Sequence, residues 1–359
     1  MLADIRNTIP RSATSLPPLN VVEAWRGITG PVEPFLIRVQ RGLSSQVEEF
    51  HPAIREYAHY ALSNQGKQIR PTLLALSGAV FGPASDALVD VAVMIEMVHL
   101  ATLVHDDVMD EAEVRRSRPT LAANWGNQRS VLVGDCLFAQ ALRLASNFST
   151  AEVCRAVATA TKAVCTGEII QTHQRHNFNI SLEEYLQALS MKTGELFALS
   201  CEMGAFLSGA SPSERASLRA FGMTLGTAYQ IYDDCLDLFG TESVVGKSLG
   251  TDLASGKPTF PILEALKSLN RADRERLIKR LENWNGEFFE ETIELLHRSG
   301  VLTNARRLIR DHLDRGVTCL EGLPRNSEAA NALRGVCEFL ADQTAALGFE
   351  SVWKDKLYG

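Results

Sequence analysis

Hydrophobic residues recur along most of this chain with the three- to four-residue period of helices that pack into a core. Residues 86–105 are almost continuously apolar, which predicts a central helix buried on every side. Four further long segments are rich in Ala and Leu and have no internal proline: 131–146, 151–175, 182–208 and 215–239. Runs of alternating β-branched residues between Asn-Gly or Asp-Gly turns do not occur in the sequence. The pattern therefore predicts an all-α fold.

Glycine and proline separate these helical segments without dividing the chain into domains. Ser211-Pro212 is typical of a helix start. The longest turn-rich stretch is 240–261, and an internal loop of that length is usually functional or disordered. Composition does not shift enough to mark a second domain. We therefore expect a flexible N-terminal arm over 1–18 and a single all-α domain over 19–359.

Composition and charge narrow the function. The 359 residues carry a formal net charge of −7 and no run of Lys and Arg, so nucleic acid is an unsuitable partner. The hydrophobic fraction of 45% is ordinary for a soluble globular protein. We expect neither a transmembrane segment nor a secretory signal. The seven cysteines have no Cys-x-x-Cys spacing, which indicates reduced thiols in a cytoplasmic protein.

Two acidic clusters break the rules of helix design in the same way. Residues 106–110 and 233–237 both have the pattern D-D-x-x-D. On a helix the first and last Asp of each cluster share a face, where like charges repel. Each cluster also ends a long apolar helix, where the helix dipole disfavours acids. Bound cations would relieve both conflicts, whereas the alternative is a pair of solvated helix ends.

Basic residues accompany the acidic clusters. Carboxylates are hard oxygen ligands that suit Mg²⁺, which usually keeps substrate phosphates and water among its ligands. Phosphates in turn need Arg or Lys as donors. Candidate donors precede and follow the clusters: Lys67, Arg70, Arg115, Arg116, Arg118, Lys192, Lys247 and Lys257. Each alone would be an ordinary surface charge, but beside two metal-type clusters they predict a site for a phosphorylated ligand.

These residues resemble the motifs of the trans-isoprenyl diphosphate synthase (polyprenyl synthetase) family. LVHDDVMDEAEVRRSRPT resembles the first Asp-rich motif of the family, and YQIYDDCLDLFG resembles the second. GKQIRP, MKTGEL and GKSLGTDLASGKPTFP match three further segments in the same order, between about residues 60 and 265. The sequence departs from the family pattern where Gln65 and Ser117 replace glycines, and each replacement removes backbone freedom from a loop.

The resemblance implies an isoprenoid synthase-type helical bundle around a deep central cavity, usually as a homodimer. It implies Mg²⁺, three ions per active site with substrate bound, on Asp106, Asp110, Asp233 and Asp237, supported by Asp107 and Asp234. It assigns isopentenyl diphosphate to Gly66, Lys67, Arg70, His99 and Arg116. It places the allylic diphosphate, and the cation that forms from it, beside Arg115, Lys192, Thr193, Gln230, Lys247 and Lys257.

The reaction implied by the resemblance is head-to-tail 1′-4 condensation of isopentenyl diphosphate with an allylic diphosphate. The product would grow along the helix that carries Asp106, past Thr102, Ala101 and Val98, none of which is aromatic. Because the upper pocket would then be open, we expect geranylgeranyl diphosphate or a longer polyprenyl diphosphate, with C25–C50 favoured. We expect at most transient contact with a membrane when the product leaves.

Other functions stay open at this point. A class I terpene cyclase also uses an Asp-rich helical motif, but it does not need cations for a second diphosphate. A non-catalytic subunit of a heteromeric prenyl diphosphate synthase typically loses acidic motif residues, and all six are present here. A divalent-cation buffer would not explain the basic residues. The sequence does not decide the product length, the allylic primer or the oligomeric state.

Overall fold

The computed structural model describes residues 21–63, 66–241, 249–323 and 328–348. The arm expected over 1–18, Gln65 and Lys247 lie outside these residues. The described chain is helical apart from loops and one short hairpin, so the predicted all-α fold is confirmed.

The N-terminal half contains nine α-helices in the described residues. They are α1 Val21–Thr29, α2 Glu33–Gln46, α3 Arg55–Ser63, α4 Ile69–Ala79, α5 Asp86–Met109, α6 Leu121–Trp125, α7 Asn127–Ser146, α8 Ala151–His173 and α9 Leu182–Leu189. Short 3₁₀ turns at Gly30–Val32, Val47–Glu49 and Pro52–Ile54 connect the first of these helices.

The C-terminal half begins with a π-helical turn, Ser190–Gly194, that joins α9 to the next helix without a break. The helices that follow are α10 Glu195–Leu207, α11 Pro212–Phe239, α12 Thr251–Ala254, α13 Phe260–Ser268, α14 Arg271–Glu282, α15 Phe289–Arg298, α16 Val301–Cys319 and α17 Glu328–Ala346. A 3₁₀ turn at Gly286–Phe288 precedes α15.

Helix starts follow local chemistry that is visible in the sequence. The side chain of Ser211 accepts a hydrogen bond from the backbone of Glu214, whose carboxylate accepts one from the backbone of Ser211. This capping box satisfies two backbone donors and stabilises the helix start by about 1 kcal/mol. It confirms the helix start predicted at Ser211-Pro212, and Ser181 with Glu184 forms a second capping box at α9.

Helix α5 is the core helix that the apolar pattern predicted. It contacts α2, α4, α7 and α10, and most of its side chains are buried. Its length and composition would suit a membrane span, but 67% of its most apolar window is buried inside the protein. Among the helices in the described residues, α5 alone is long and apolar enough to cross a membrane, and its burial is typical of a core helix.

Glycines allow the helices that carry site residues to approach closely. A Cβ at Gly204 of α10 would lie 2.3 Å from the carbonyl oxygen of Leu74 in α4. A Cβ at Gly222 of α11 would lie 2.5 Å from the carbonyl oxygen of Phe197 in α10. Because no side chain separates the backbones, α4, α10 and α11 form one tight layer.

One β-hairpin departs from the purely helical expectation. Strand β1, Val114–Arg115, pairs antiparallel with β2, Arg118–Pro119. Arg116 and Ser117 between them both have positive φ, 50° and 59°, as in a type I′ turn. Strands of two residues are too short to produce an alternating pattern. Ser117 adopts a conformation that glycine takes more easily, at the position where the family pattern has glycine.

Candidate active site

The first aspartate cluster lies at the C-terminal end of α5. Asp106 and Asp107 belong to its last turn, and Asp110 is its C-cap. Asp107 is buried, and Nε of Arg115 donates to its Oδ1 over 2.5 Å. Since Arg115 lies on β1, the hairpin brings a guanidinium to the acidic end of the helix. This cation offsets the unfavourable helix dipole there.

Asp110 pairs with two cations. Nη2 of Arg175 lies 2.7 Å from Oδ1, and Nζ of Lys257 lies 2.8 Å from Oδ2. Burial by itself raises the pKa of Asp110, but Lys257, Lys192 and Arg175 outweigh burial and lower this pKa. Asp110 is therefore ionised at neutral pH, with both carboxylate oxygens paired.

Lys192 links Asp106 to helix α8. Its Nζ lies 3.9 Å from Oδ2 of Asp106, forms an ion pair with Glu168 and donates to Oε1 of Gln171 over 2.9 Å. Burial raises the pKa of Asp106 to about 6, although Lys192 opposes the shift. Burial also acts to lower the pKa of Lys192, but Asp106 and Glu168 outweigh it and raise this pKa. Lys192 is therefore charged and set among carboxylates.

The π-helical turn places Lys192 and Thr193 at the site. A Cβ at Gly167 of α8 would lie 2.5 Å from the backbone nitrogen of Lys192, so the turn reaches this position only because residue 167 is glycine. Single π-helical turns often occur at functional sites. The local irregularity supports the prediction that Lys192 and Thr193 act on substrate.

In the second cluster, on α11, Asp234 is held by hydrogen bonds. The hydroxyl of Tyr185 donates to its Oδ2 over 2.6 Å, and Nε2 of Gln230 donates to its Oδ1 over 2.9 Å. Burial raises the pKa of Asp234 to about 8. The hydroxyl of Thr193 donates to Oε1 of Gln230 over 2.8 Å. One hydrogen-bonded relay thus runs from Tyr185 through Asp234 and Gln230 to Thr193. Within it, Asp234 orients the side chains of Tyr185 and Gln230.

The outer two aspartates of this cluster have different surroundings. Asp233 is half-buried and acts electrostatically on Lys67, whose pKa is lowered by burial and raised in part by Asp233. Asp237 is only 1% exposed. Its Oδ1 accepts a hydrogen bond from Oγ1 of Thr251 over 2.8 Å, and its Oδ2 accepts one from the backbone of Asp252 over 3.1 Å. Asp237 therefore anchors α12, and its role as a Mg²⁺ ligand stays a prediction.

A second group of cations lies beside α5, one to three turns before the first cluster. Arg70 stacks 4.9 Å over the Phe197 ring, and within the described chain its buried Nε has no hydrogen-bond partner. Burial lowers the pKa of Arg70 and of Arg116, while Glu96 raises both. Burial also lowers the pKa of His99 well below its usual range, helped by Arg70 and Arg116. His99 is therefore neutral at pH 7.

The loop that carries Lys67 meets the hairpin. A Cβ at Gly66 would lie 2.6 Å from the guanidinium of Arg116, so glycine leaves room for this side chain. Gln68 has a positive φ of 50° just before α4. Nε1 of Trp25 donates to the carbonyl oxygen of Lys67 over 3.3 Å. The structure thus brings Gly66, Lys67 and Arg116 together, as the prediction of a second diphosphate site requires.

The three residues expected to line the growing product differ in exposure. Ala101 is 0% and Val98 1% exposed, so neighbouring side chains cover both. Thr102 keeps some accessible surface, and its hydroxyl donates to the carbonyl oxygen of His99 over 2.7 Å. The open upper pocket expected from the sequence is therefore not visible at Ala101 and Val98. The role of all three in product length stays a prediction.

The acidic residues fit Mg²⁺ by their chemistry. In the described part of the chain, no group of three or more His, Cys, Asp and Glu side chains is arranged to hold a metal ion by itself. All the candidate donors are carboxylates, and Mg²⁺ characteristically takes one or two carboxylates together with substrate phosphates. The donor set therefore fits an ion that binds together with a diphosphate.

The sequence patterns did not indicate several residues that the structure places at the site. Glu168 and Gln171 are three residues apart on one side of α8, and Arg175 follows four residues later, just past the C-cap of the helix. That periodicity was a usable signal. Tyr185 and Glu96 gave no local signal, because their partners lie far away in sequence or on other helices.

A helical bundle with two carboxylate clusters at helix ends and two groups of cations defines a protein of the isoprenoid synthase class. The family model for polyprenyl synthetase matches residues 51–296, and the chain belongs to this family.

Curated and solved relatives agree with this family. The octaprenyl diphosphate synthase of Escherichia coli is 32% identical over 287 residues, which are 80% of this chain and 89% of that protein. The short chain isoprenyl diphosphate synthase of Methanothermobacter thermautotrophicus is 34% identical over 291 residues, 80% of this chain and 89% of that protein. The crystal structure of a decaprenyl diphosphate synthase from Rhodobacter capsulatus has a TM-score of 0.83 at 28% identity, covering 89% of this chain and 99% of that one. The predicted fold and family are confirmed.

Proposed function

We propose that this polyprenyl synthetase condenses isopentenyl diphosphate with an allylic diphosphate, head to tail, to give geranylgeranyl diphosphate or a longer polyprenyl diphosphate. One observation carries the proposal: the cations form two groups. Arg115, Lys192 and Lys257 pair with acids of the site, whereas Arg70 and Arg116 surround His99 and Glu96. Two diphosphates in one site need two such groups.

The allylic diphosphate would bind at the aspartate clusters. Mg²⁺ held by Asp106, Asp110, Asp233 and Asp237, with three ions per site in the loaded enzyme, would supply positive charge to the departing diphosphate. Three cations contact the first cluster and could donate to the same diphosphate: Arg115 pairs with Asp107, Lys192 lies near Asp106 and Lys257 pairs with Asp110. Their charges would stabilise the bond-breaking transition state more than the bound substrate.

The relay through Gln230 would then act on the allylic cation. When the carbon–oxygen bond breaks, both electrons leave with the diphosphate and a carbocation remains. Since the hydroxyl hydrogen of Thr193 is donated to Gln230, its lone pairs are free to face this cation as a preorganised dipole. The double bond of isopentenyl diphosphate attacks the cation to form the new carbon–carbon bond. A proton then leaves the adduct, and the released pyrophosphate is the base nearest to it.

The direct test of this function is incubation with isopentenyl diphosphate, Mg²⁺ and each of the C5, C10, C15 and C20 allylic primers. We expect linear products longer than the primer, sized by chromatography. Cyclic hydrocarbons would indicate a class I terpene cyclase, and no product without a second polypeptide would indicate a non-catalytic subunit. All six aspartates are present, which supports the catalytic reading.

Removal of one hydroxyl tests the relay. We expect Tyr185→Phe to lower kcat about tenfold and to leave the KM for isopentenyl diphosphate unchanged, because the loss of its hydrogen bond frees Asp234 and then Gln230 to reorient. Steady-state kinetics measures both constants. Tyr57→Phe is the matched control, since the Tyr57 ring packs on Trp125 outside the relay. An unchanged kcat in Tyr185→Phe would refute the relay.

The product length that we propose is C25–C50. The named relatives range from a short chain synthase to octaprenyl and decaprenyl synthases, so membership in the family leaves length open. Support comes from the absence of an aromatic ring at Ala101, Thr102 and Val98.

A bulky residue in this region tests the proposed length. We expect Ala101→Phe to shorten the product by two or more isoprene units, because the ring would block the path along α5. Thr102→Phe should do the same at a position with accessible surface, and it keeps the test useful if the buried Ala101→Phe protein does not fold. Chromatography of the dephosphorylated products measures the length. An unchanged product distribution in a folded variant would contradict the path.

We propose that the enzyme is a homodimer in the cytoplasm. Leu132 of α7 and Ile169 of α8 are 63% and 56% exposed, and Val131 adds a third exposed apolar side chain. The two helices contact each other, and exposed apolar patches commonly mark interfaces, for which a second copy is the simplest partner. The seven unpaired cysteines support a reducing compartment. Contact with a membrane would be transient, during product release.

A charged residue on this patch tests the dimer. We expect Leu132→Glu to halve the mass measured by light scattering after gel filtration, because a buried unpaired carboxylate is costly at an apolar interface. Arg143→Gln, on the same helix and paired with Glu49, serves as the control. A variant that keeps the mass of a dimer would exclude this face.

A further inference from the structure

Arg175 contacts the first aspartate cluster from the end of α8. It follows the C-cap residue Gln174, and its side chain is 21% exposed. Its Nη2 lies 2.7 Å from Oδ1 of Asp110. Its Nε is buried and, within the described part of the chain, has no hydrogen-bond partner. Arg175 therefore has one nitrogen engaged and one donor unused, directly beside Asp110.

The structure holds Arg175 and Lys257 side by side at Asp110. Lys257 pairs with the other oxygen of Asp110 over 2.8 Å. The residue after Arg175, His176, donates its backbone N–H to the carbonyl oxygen of Gly256 over 2.7 Å. Gly256 has a φ of +68°, and a Cβ there would lie 2.3 Å from the His176 ring. The end of α8 and the segment before Lys257 are therefore locked side by side.

Occupation of both Asp110 oxygens has a consequence for metal binding. The guanidinium of Arg175 and the ammonium of Lys257 occupy both oxygens of Asp110, and their positive charges repel a divalent cation until one of them withdraws. A diphosphate bound with the metal offers new oxygens to which an Arg can donate through two nitrogens. Arg175 has the unused Nε for such a forked contact.

We infer that Arg175 competes with Mg²⁺ for Asp110 in the free enzyme and binds the allylic diphosphate in the loaded one. The inference rests on the proposed function, in which Asp110 is a Mg²⁺ ligand. Arg175 then makes metal binding without substrate unfavourable and metal binding with substrate favourable. Removal of its charge should change the two affinities in opposite directions, which a merely structural residue would not do.

The test is calorimetry on Arg175→Gln. For Mg²⁺ added to the protein alone, we expect an affinity about fivefold tighter than wild type, because one competing cation is gone. For a non-hydrolysable allylic thiodiphosphate at saturating Mg²⁺, we expect binding about tenfold weaker. Arg175→Lys keeps the charge without the fork, so it should bind Mg²⁺ like wild type and the analogue more weakly. Arg175→Lys also keeps the test possible if the Arg175→Gln protein does not fold.

A matched control and three outcomes make the test decisive. Arg143→Gln removes an Arg that pairs with Glu49 over 2.7 Å outside the site, and it should change neither affinity. Unchanged affinities in Arg175→Gln, or a loss of both, would overturn the inference while leaving the proposed function intact. Failure of the wild-type enzyme to bind the thiodiphosphate would overturn the proposed function and the inference with it.

Discussion

Replacement of Asp106 by asparagine is expected to lower the rate of prenyl transfer about a thousandfold, because a ligand of the metal that stabilises the departing diphosphate is lost. Asn has the size of Asp without the charge, so packing at the end of α5 should not change. Asp233→Asn on the facing cluster should cause a similar loss. Steady-state assays of isopentenyl diphosphate incorporation measure both effects.

The same Asp106→Asn substitution is expected to stabilise the fold at neutral pH. Burial raises the pKa of Asp106 from 3.8 to about 6, so the folded protein favours the uncharged form. The ionised form therefore lowers the free energy of unfolding as pH rises from about 4 to 6, and the cost is complete above this range. Asn avoids this cost at pH 7.5 and gains nothing below pH 4, where Asp106 is uncharged as well. Denaturant unfolding at the two pH values measures the difference.

Asp90→Asn is the matched control for the loss of turnover in Asp106→Asn. Asp90 lies on α5 as well, is exposed and is far from the cluster. We expect this variant to keep wild-type turnover. Near-wild-type turnover of Asp106→Asn would contradict the metal-binding role of the first cluster, whatever happens to stability.

The second large effect is expected at Arg70. Arg70→Gln should raise the KM for isopentenyl diphosphate about 30-fold and leave the KM for the allylic substrate within about twofold. The reason is that Arg70 belongs to the cation group beside His99 and Glu96, apart from the cations that pair with the first cluster. Its buried Nε has no hydrogen-bond partner among the residues that the structure describes, so it is a donor available to a phosphate oxygen. Initial-rate kinetics with each substrate varied in turn gives both constants.

The reciprocal variant completes this test. Lys192→Gln should raise the KM for the allylic substrate instead, because Lys192 pairs with Asp106 and Glu168. Arg70→Gln leaves the buried Glu96 with one fewer cation nearby, which could prevent folding. The double variant Arg70→Gln with Glu96→Gln removes the unpaired charge and allows the same kinetic test. Equal changes in both KM values for Arg70→Gln would mean that the cations do not form two separate sites.

The sequence predicted the helices and the acidic clusters because both depend on local rules. The apolar run of α5 and the proline-initiated start of α11 have periods and caps that are visible in a window of a few residues. The hairpin at Arg115 was not predicted, since its strands are two residues long and its turn uses Arg116 and Ser117 at positive φ.

The contacts between clusters and cations were beyond local reasoning. Arg175 meets Asp110 across 65 positions of sequence, and Lys257 meets it across 147. Asp237 shares the D-D-x-x-D pattern with Asp110, yet its oxygens accept hydrogen bonds from α12. Tertiary packing therefore gives equivalent positions of the two motifs different surroundings, which spacing alone does not reveal.

Both aspartate clusters are expected to bind one diphosphate through Mg²⁺. A crystal structure with Mg²⁺ and a non-hydrolysable allylic thiodiphosphate tests this expectation most directly. We expect metal ions bound by the diphosphate oxygens and by Asp106, Asp110, Asp233 and Asp237, with the cations of the site donating to the same diphosphate. A diphosphate bound elsewhere, with Asp110 still paired to Arg175 and Lys257 and Asp233 turned to solvent, would exclude a shared metal site at the two clusters.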